Sequence, residues 1–343
     1  MQRINLALQG GGAHGAYTWG VLDRLLREPD IEIAAISGTS AGALNGAALK
    51  AGMIHGGREG ARENLARLWG QVTALNDLRL TSWMTYLNPA PSLISQAIEY
   101  SLPFSMMDAA TRVLSPYSYG IFYQNPLRRI AERFRYDEVC ASDGPRLFIS
   151  ATNVRTGKIR VFTGTEISTD VILASACLPT IFQAVEIDDP RTGHCEAFWD
   201  GGYTGNPALF PLFERDLPDD IVIVNINPLK RDSIPRTPQE IVNRINEISF
   251  NSSLLRELRA INFVKELIAD GRIPREAMKD VLIHMISDDD LMNDLSVATK
   301  LVPSPYVIGR LRAAGEAAAE GFLKTGATRI GVETTVSLSE MFS

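Results

Sequence analysis

Apolar runs and helical stripes alternate in the N-terminal part of the chain. Ile4–Gln9 is a short apolar run ending in glycines, the pattern of a buried strand. Gly15–Arg27 then carries Val21, Leu22, Leu25 and Leu26 at helical spacing. Ile31–Ser37 predicts a second strand, and Ala41–Ala51 a helix of small residues. Strand, helix, strand and helix in this order predict a parallel sheet with right-handed crossovers. Glu59–Val72 predicts a surface helix with Leu65, Leu68 and Val72 on its inner side.

The texture changes between Thr81 and Tyr123. Methionines and aromatics crowd a stretch broken by Pro89, Pro91, Pro103 and Pro116, which argue against one long helix. The stretch reads either as irregular core or as a cap of short helices inserted from about residue 77 to about 125. Methionine and aromatic side chains adapt to flexible apolar ligands, which favours the cap. On that reading Met106, Met107 and Tyr119 line a substrate pocket.

The periodicity then returns. Arg146–Thr152 and Lys158–Thr163 read as strands joined by a turn at Arg155-Thr156-Gly157. Asp170–Cys177 is a short helix stopped by Pro179. Phe182–Ile187, Cys195–Trp199, Ile221–Ile226 and Val281–Ile286 are further strands. Pro238–Asp270 predicts a long amphipathic helix with a break near Asn251-Ser252-Ser253, and Tyr306–Thr325 an alanine-rich helix. Residues from about Glu333 read as a flexible tail.

Composition narrows the class. The 343 residues are 45% hydrophobic and 22% charged, ordinary for a soluble globular protein, in one large α/β domain or two. A formal net charge of −6 gives no sign of a nucleic-acid partner. Cys140, Cys177 and Cys195 form no Cys-x-x-Cys pair and are odd in number, which fits a reducing, cytoplasmic setting better than a disulfide framework. The apolar N-terminal run is too short for a signal peptide, and no run of about 18 apolar residues predicts a membrane span.

Three motifs carry chemistry. Gly38-Thr39-Ser40-Ala41-Gly42 matches G-x-S-x-G between a strand and a helix, where a sharp turn exposes a serine and the helix N-terminus favours negative charge. Gly10-Gly11-Gly12-Ala13-His14-Gly15 also fits the dinucleotide fingerprint G-x-G-x-x-G. That reading needs an acid at the end of the next strand; Asp30 and Glu32 lie at its start. Consecutive glycines whose N–H groups can face one oxygen fit an oxyanion hole better. Asp200-Gly201-Gly202 alone is a common turn signal. Its place after a strand makes Asp200 a candidate base.

No histidine offers a better base. His284, in Val281-Leu282-Ile283-His284-Met285-Ile286, is the one that fits an order of serine, acid and histidine, and it reads as a core residue on a strand. His194 with Asp188, Asp189 and Cys195 matches no zinc spacing, and Asp288-Asp289-Asp290 lacks the calcium-loop alternation.

With these three motifs in this order, the chain resembles the patatin-like phospholipase family from about Ile4 to about Pro207. Ala174-Ser175-Ala176-Cys177-Leu178-Pro179 also resembles a block of that family. The resemblance implies a three-layer α/β fold with a mostly parallel central sheet, a nucleophile elbow and an inserted helical cap. It implies a catalytic domain over residues 1–230, with a C-terminal extension over 231–343 packed on it. The implied activity is hydrolysis of fatty-acyl esters of lipids, of phospholipase A or lysophospholipase type. Ser40 and Asp200 would form the catalytic dyad, and Gly10, Gly11, Gly12 and Ala41 the oxyanion hole. No metal or cofactor is expected, and the expected partner is a lipid or membrane surface approached peripherally. Acyl transfer, hydrolysis of triacylglycerol or polyhydroxyalkanoate esters, and non-catalytic lipid binding are the alternatives. The family usually carries Arg or Lys where this chain has His14, so no fixed positive charge is expected there.

Overall fold

A computed structural model describes residues 1–74, 90–99, 101, 115–231, 234–274 and 276–342. Most of the cap expected over 77–125 therefore lies outside the described residues.

Among the described residues, a single eight-stranded sheet organises the fold. Its strands are β1 (Gln2–Leu8), β2 (Ile31–Gly38), β3 (Arg146–Asn153), β4 (Ile159–Thr163), β5 (Val185–Asp189), β6 (His194–Asp200), β7 (Asp220–Val224) and β8 (Leu282–Ile286). The order across the sheet is β5-β6-β3-β2-β1-β7-β8, with β4 paired to β3 off that path. The five strands β3-β2-β1-β7-β8 run parallel; β4, β5 and β6 join by antiparallel pairings. The apolar runs of β1, β2 and β7 follow from this: a central parallel strand is covered on both faces, and every residue of β7 is buried.

Helices cover the sheet. The main ones are α1 (Gly15–Leu25), α2 (Ala41–Ala74), α3 (Thr169–Ser175), α4 (Pro238–Ala269), α5 (Val297–Leu301) and α6 (Pro305–Thr325). The two helices expected over Ala41–Ala51 and Glu59–Val72 merge into α2, interrupted by non-helical backbone at Gly56 and Gly57. Leu65, Leu68 and Val72 are buried as their spacing predicted. α1 packs on α6 backbone to backbone. A Cβ on Gly20 would stand 2.0 Å from Arg312 O, and one on Gly315 2.0 Å from Tyr17 O, so neither position accepts a side chain without the helices parting.

Three expectations need correction. α4 is continuous through Asn251-Ser252-Ser253. Asn251 and Ser253 are buried and hold neighbouring loops, so their polarity serves contacts across the fold and not a break. The strand expected from Phe182 begins only at Val185, because the Gln183 and Ala184 amides donate to the hydroxyls of Tyr123 and Tyr117. The tail from Glu333 is docked: Thr335 N donates to Ile283 O on β8, and Leu338 is buried. An open strand edge and an apolar slot hold a segment that has no periodicity of its own.

Candidate active site

β2 ends in a turn that no ordinary residue favours. Ser40, immediately before α2, has φ +54°, the one non-glycine residue with positive φ among those described. Its surroundings leave no room for a gentler path. A Cβ on Gly42 would lie 2.1 Å from Leu8 O, so α2 starts pressed against the end of β1. The Ser40 amide is fixed by Ser175 Oγ at 2.9 Å, and Thr39 Oγ1 donates to Gly205 O at 2.7 Å. Holding a serine in this conformation costs about 1–3 kcal/mol, which the surrounding contacts offset.

Asp200 reaches the same point from β6. β3 sets the spacing: Gly38 pairs with Ile149 and Asp200 with Ala151, so the ends of β2 and β6 meet along one strand. The Asp200 amide donates to Cys177 O at 2.8 Å, and its carbonyl accepts from Thr152 Oγ1 at 2.8 Å. Its carboxylate accepts the Gly202 amide at 2.7 Å, and the Ser40 side chain lies beside it. Asp200 is only 2% exposed. Burial outweighs the Gly202 hydrogen bond and the nearby Ser40 and pushes the carboxyl up to about 7.

The glycine loop after β1 is held by side-chain amides. Gln9 Oε1 accepts from the backbone of Ile226 and Asn227 and from Asn227 Nδ2. Asn206 Oδ1 accepts the Gly10 amide at 2.6 Å. Gly10 is therefore removed from the expected oxyanion hole, because its only backbone donor already has an acceptor. Among the described residues, the amides of Gly11, Gly12 and Ala41 have no protein acceptor, and all three residues line a cavity of about 290 Å³ with Ser40 and Asp200.

The cavity has two kinds of wall. α2 and the segments near Leu127 and Leu178 supply Leu44, Trp69, Val72, Leu127, Leu178 and Phe182. α4, α5 and their flanks supply Asn246, Glu247, Phe250 and Lys300. Met106 and Met107, expected in this pocket, lie outside the described residues, as does the side chain of Tyr119.

The histidines sit elsewhere. His14 is buried beneath the loop, its Nε2 2.8 Å from Thr299 Oγ1. Burial, then Lys300 and Arg231, hold it well below the usual histidine range, so it is neutral. His284 is buried on β8, bonded to Asp220 at 2.9 Å and Thr335 at 3.3 Å, and does not line the cavity.

Asn206, Asn227 and Lys300 were not apparent from the sequence, since none belongs to a motif with fixed spacing. Ser175 had a signal, the block Ala174–Pro179. Among the described residues, no helix is long and apolar enough to cross a membrane.

A model of the patatin-like phospholipase family matches residues 6–213. No curated protein matches the chain. Among solved structures, VipD from Legionella pneumophila is similar at 15% identity and a TM-score of 0.43, over 94% of this chain and 67% of that one. The matched span runs from the end of β1 through β6 and takes in the serine turn and Asp200, and on it the chain belongs to the patatin-like phospholipase family, whose general activity is lipid acyl-ester hydrolysis.

Proposed function

We propose that the protein is a serine acyl hydrolase acting on fatty-acyl esters of lipids through a Ser40–Asp200 dyad. The observation that carries this reading is the placement of Ser40 beside a buried carboxyl raised to about 7, both lining a cavity with apolar walls. An aspartate at the usual value near ~3.9 is a poor base; one near neutrality matches the working pH.

In the proposed reaction the Ser40 hydroxyl attacks the ester carbonyl carbon while Asp200 takes its proton. The amides of Gly11, Gly12 and Ala41 are the available donors for the oxygen that becomes negative. The start of α2 adds favourable helix-dipole potential. Collapse of the tetrahedral species breaks the bond to the alcohol, which leaves with the proton from Asp200. Water then gives its proton to Asp200, attacks the acyl-serine and releases the fatty acid, returning the proton to Ser40. The apolar wall from Leu44, Trp69, Leu178 and Phe182 suits the acyl chain. No step requires a metal or cofactor. The Cys177 thiol, buried near Asp200 and pushed up to about 12, stays protonated and is not a competing nucleophile.

The test is labelling with a fluorophosphonate probe together with ester hydrolysis on a mixed lipid extract, products read by mass spectrometry. Ser40→Ala is expected to abolish both. Hydrolysis that persists in Ser40→Ala, with the label on another residue, would overturn the reading.

A further inference from the structure

We propose that Lys300 forms an anion subsite beside the glycine loop, where it receives the headgroup phosphate of the lipid whose ester is cleaved. This rests on the hydrolase reading above. Lys300 lies outside the residues matched by the family model, on the short helix α5, yet it lines the same cavity as Ser40 and Asp200.

Its position follows from three contacts. A Cβ on Gly12 would stand 2.4 Å from Lys300 O and 3.6 Å from Lys300 Cβ, so the lysine backbone is packed on the loop. Lys300 Nζ donates to Asn227 Oδ1 at 2.9 Å. That oxygen is in turn 3.8 Å from where a Cβ on Gly11 would be. The Asn227 amide is not free to turn, because its Nδ2 donates to Gly10 O at 2.8 Å and Gln9 Oε1 at 3.1 Å. The loop's own network thus aims an oxygen at the ammonium and keeps the ammonium beside the loop.

The charge there is only partly compensated. Glu247 is the neighbouring carboxylate in the cavity wall, but Arg231 grips both of its oxygens at 2.8 and 2.6 Å, and Arg244 adds a third bond at 3.3 Å. Among the described residues, no carboxylate forms an ion pair with Lys300. A partly buried ammonium bonded to one neutral acceptor, beside a carboxylate already held by two arginines, has unused donors that a phosphate oxygen takes up. Burial lowers Lys300 to about 8, against the attraction of Glu247 and with the help of Arg231, while neutral His14 below adds no charge. The subsite is therefore cationic at neutral pH and discharges as pH rises through about 8.

The experiment compares lysophosphatidylglycerol with a monoacylglycerol of the same acyl chain, since the phosphodiester keeps its charge across the pH range. In wild type, kcat/KM is expected to favour the phosphate ester. Lys300→Met should lower that ratio at least tenfold, mainly through KM, and Lys300→Arg should restore it. The wild-type ratio should also fall above pH 8, and this arm needs no variant to fold. Equal losses on both esters in Lys300→Met, or a ratio flat across pH 8, would overturn the subsite. A binding arm uses the Ser40→Ala protein: lysophosphatidylglycerol should bind at least tenfold tighter than the neutral lipid, and Lys300→Met should remove the difference. This arm reads the subsite even if neither ester is hydrolysed, which would sink the hydrolase reading alone. Inhibition of neutral-ester hydrolysis by inorganic phosphate, with no preference for the phospholipid, would overturn the headgroup assignment.

Discussion

Ser40 lies beside a carboxyl of Asp200 that is buried enough to rest near neutrality, and both line one cavity. The two residues come from the ends of β2 and β6, which do not pair with each other and are brought together by β3. Their first consequence is a pH profile. As the proposed base, Asp200 must be ionised, so kcat/KM on a neutral ester should rise about tenfold per unit below pH 7 and level above it. A p-nitrophenyl ester series corrected for background hydrolysis measures this without involving Lys300. A plateau reaching down to pH 5 would mean that an ordinary carboxylate, or another group, accepts the proton.

The same burial predicts a stability cost. Asp200 is raised from 3.8 to about 7, so between those values the folded state binds a proton that the unfolded state has released. Stability therefore falls as pH rises through this window, by on the order of 4 kcal/mol, because each pH unit between the two values contributes about 1.4 kcal/mol. Asp200→Asn keeps the shape and cannot ionise. It should be nearly inactive, melt higher than wild type at pH 8.5, and lose that advantage towards pH 5. Scanning calorimetry at the two pH values checks it, and an advantage that does not depend on pH would show that ionisation of Asp200 carries no penalty.

Backbone strain at Ser40 gives a second stability prediction of the same sign. Glycine accepts φ +54° without the clash that a Cβ brings. Ser40→Gly should lose all labelling and hydrolysis and still raise stability by about 1 kcal/mol, measured by urea denaturation at pH 7. Ser40→Ala, which keeps the Cβ, should show little of that gain. Equal stability of the two variants would place no strain at the turn.

What the sequence revealed of this site, and what it hid, divide along one physical line. Gly38-Thr39-Ser40-Ala41-Gly42 was legible because the turn is a local constraint and forces small residues at fixed spacing. Asp200-Gly201-Gly202 was legible by its position after a strand and by the family pattern. The restraints on the glycine loop were not, because they act over long separations: Asn206 and Gly10 are 196 residues apart, and Lys300 and Asn227 are 73 apart. An asparagine in a loop carries no mark of the amide it will meet. Asn251 and Ser253 were misread for the same reason, since polar residues inside a helix usually face water or end it. Gly10 was placed with the oxyanion donors because consecutive glycines look alike until the acceptor on Asn206 is seen. The strands and main helices followed their apolar periods, while the docked tail, held by the edge of β8, has none.

The loop network makes its own prediction. Asn206→Ala removes the acceptor of the Gly10 amide and leaves a buried donor unpaired, costing about 1–3 kcal/mol. If Gly11 and Gly12 hold the oxyanion, a loosened loop should lower kcat by ten- to a hundredfold with a smaller change in KM. Steady-state kinetics beside a melting curve separates this from simple destabilisation. A loss confined to stability would leave the loop without a part in the chemistry.

The apolar wall of the cavity sets the last prediction. Phe182 lines it near Ala176 and Leu178, immediately after the segment whose Cys177 carbonyl accepts the Asp200 amide. An acyl chain lying along this wall gains about 0.8 kcal/mol for each methylene it buries, so the ring matters only once the chain is long enough to reach it. Phe182→Ala should therefore lower kcat/KM about five- to thirtyfold for long p-nitrophenyl esters, the equivalent of roughly 1–2 kcal/mol, and leave the acetate ester little changed. Labelling of Ser40 by a small fluorophosphonate, which has no long chain to bury, should proceed at close to the wild-type rate. If the variant instead loses activity equally at every chain length, Phe182 supports the serine turn and the acyl chain runs along another wall.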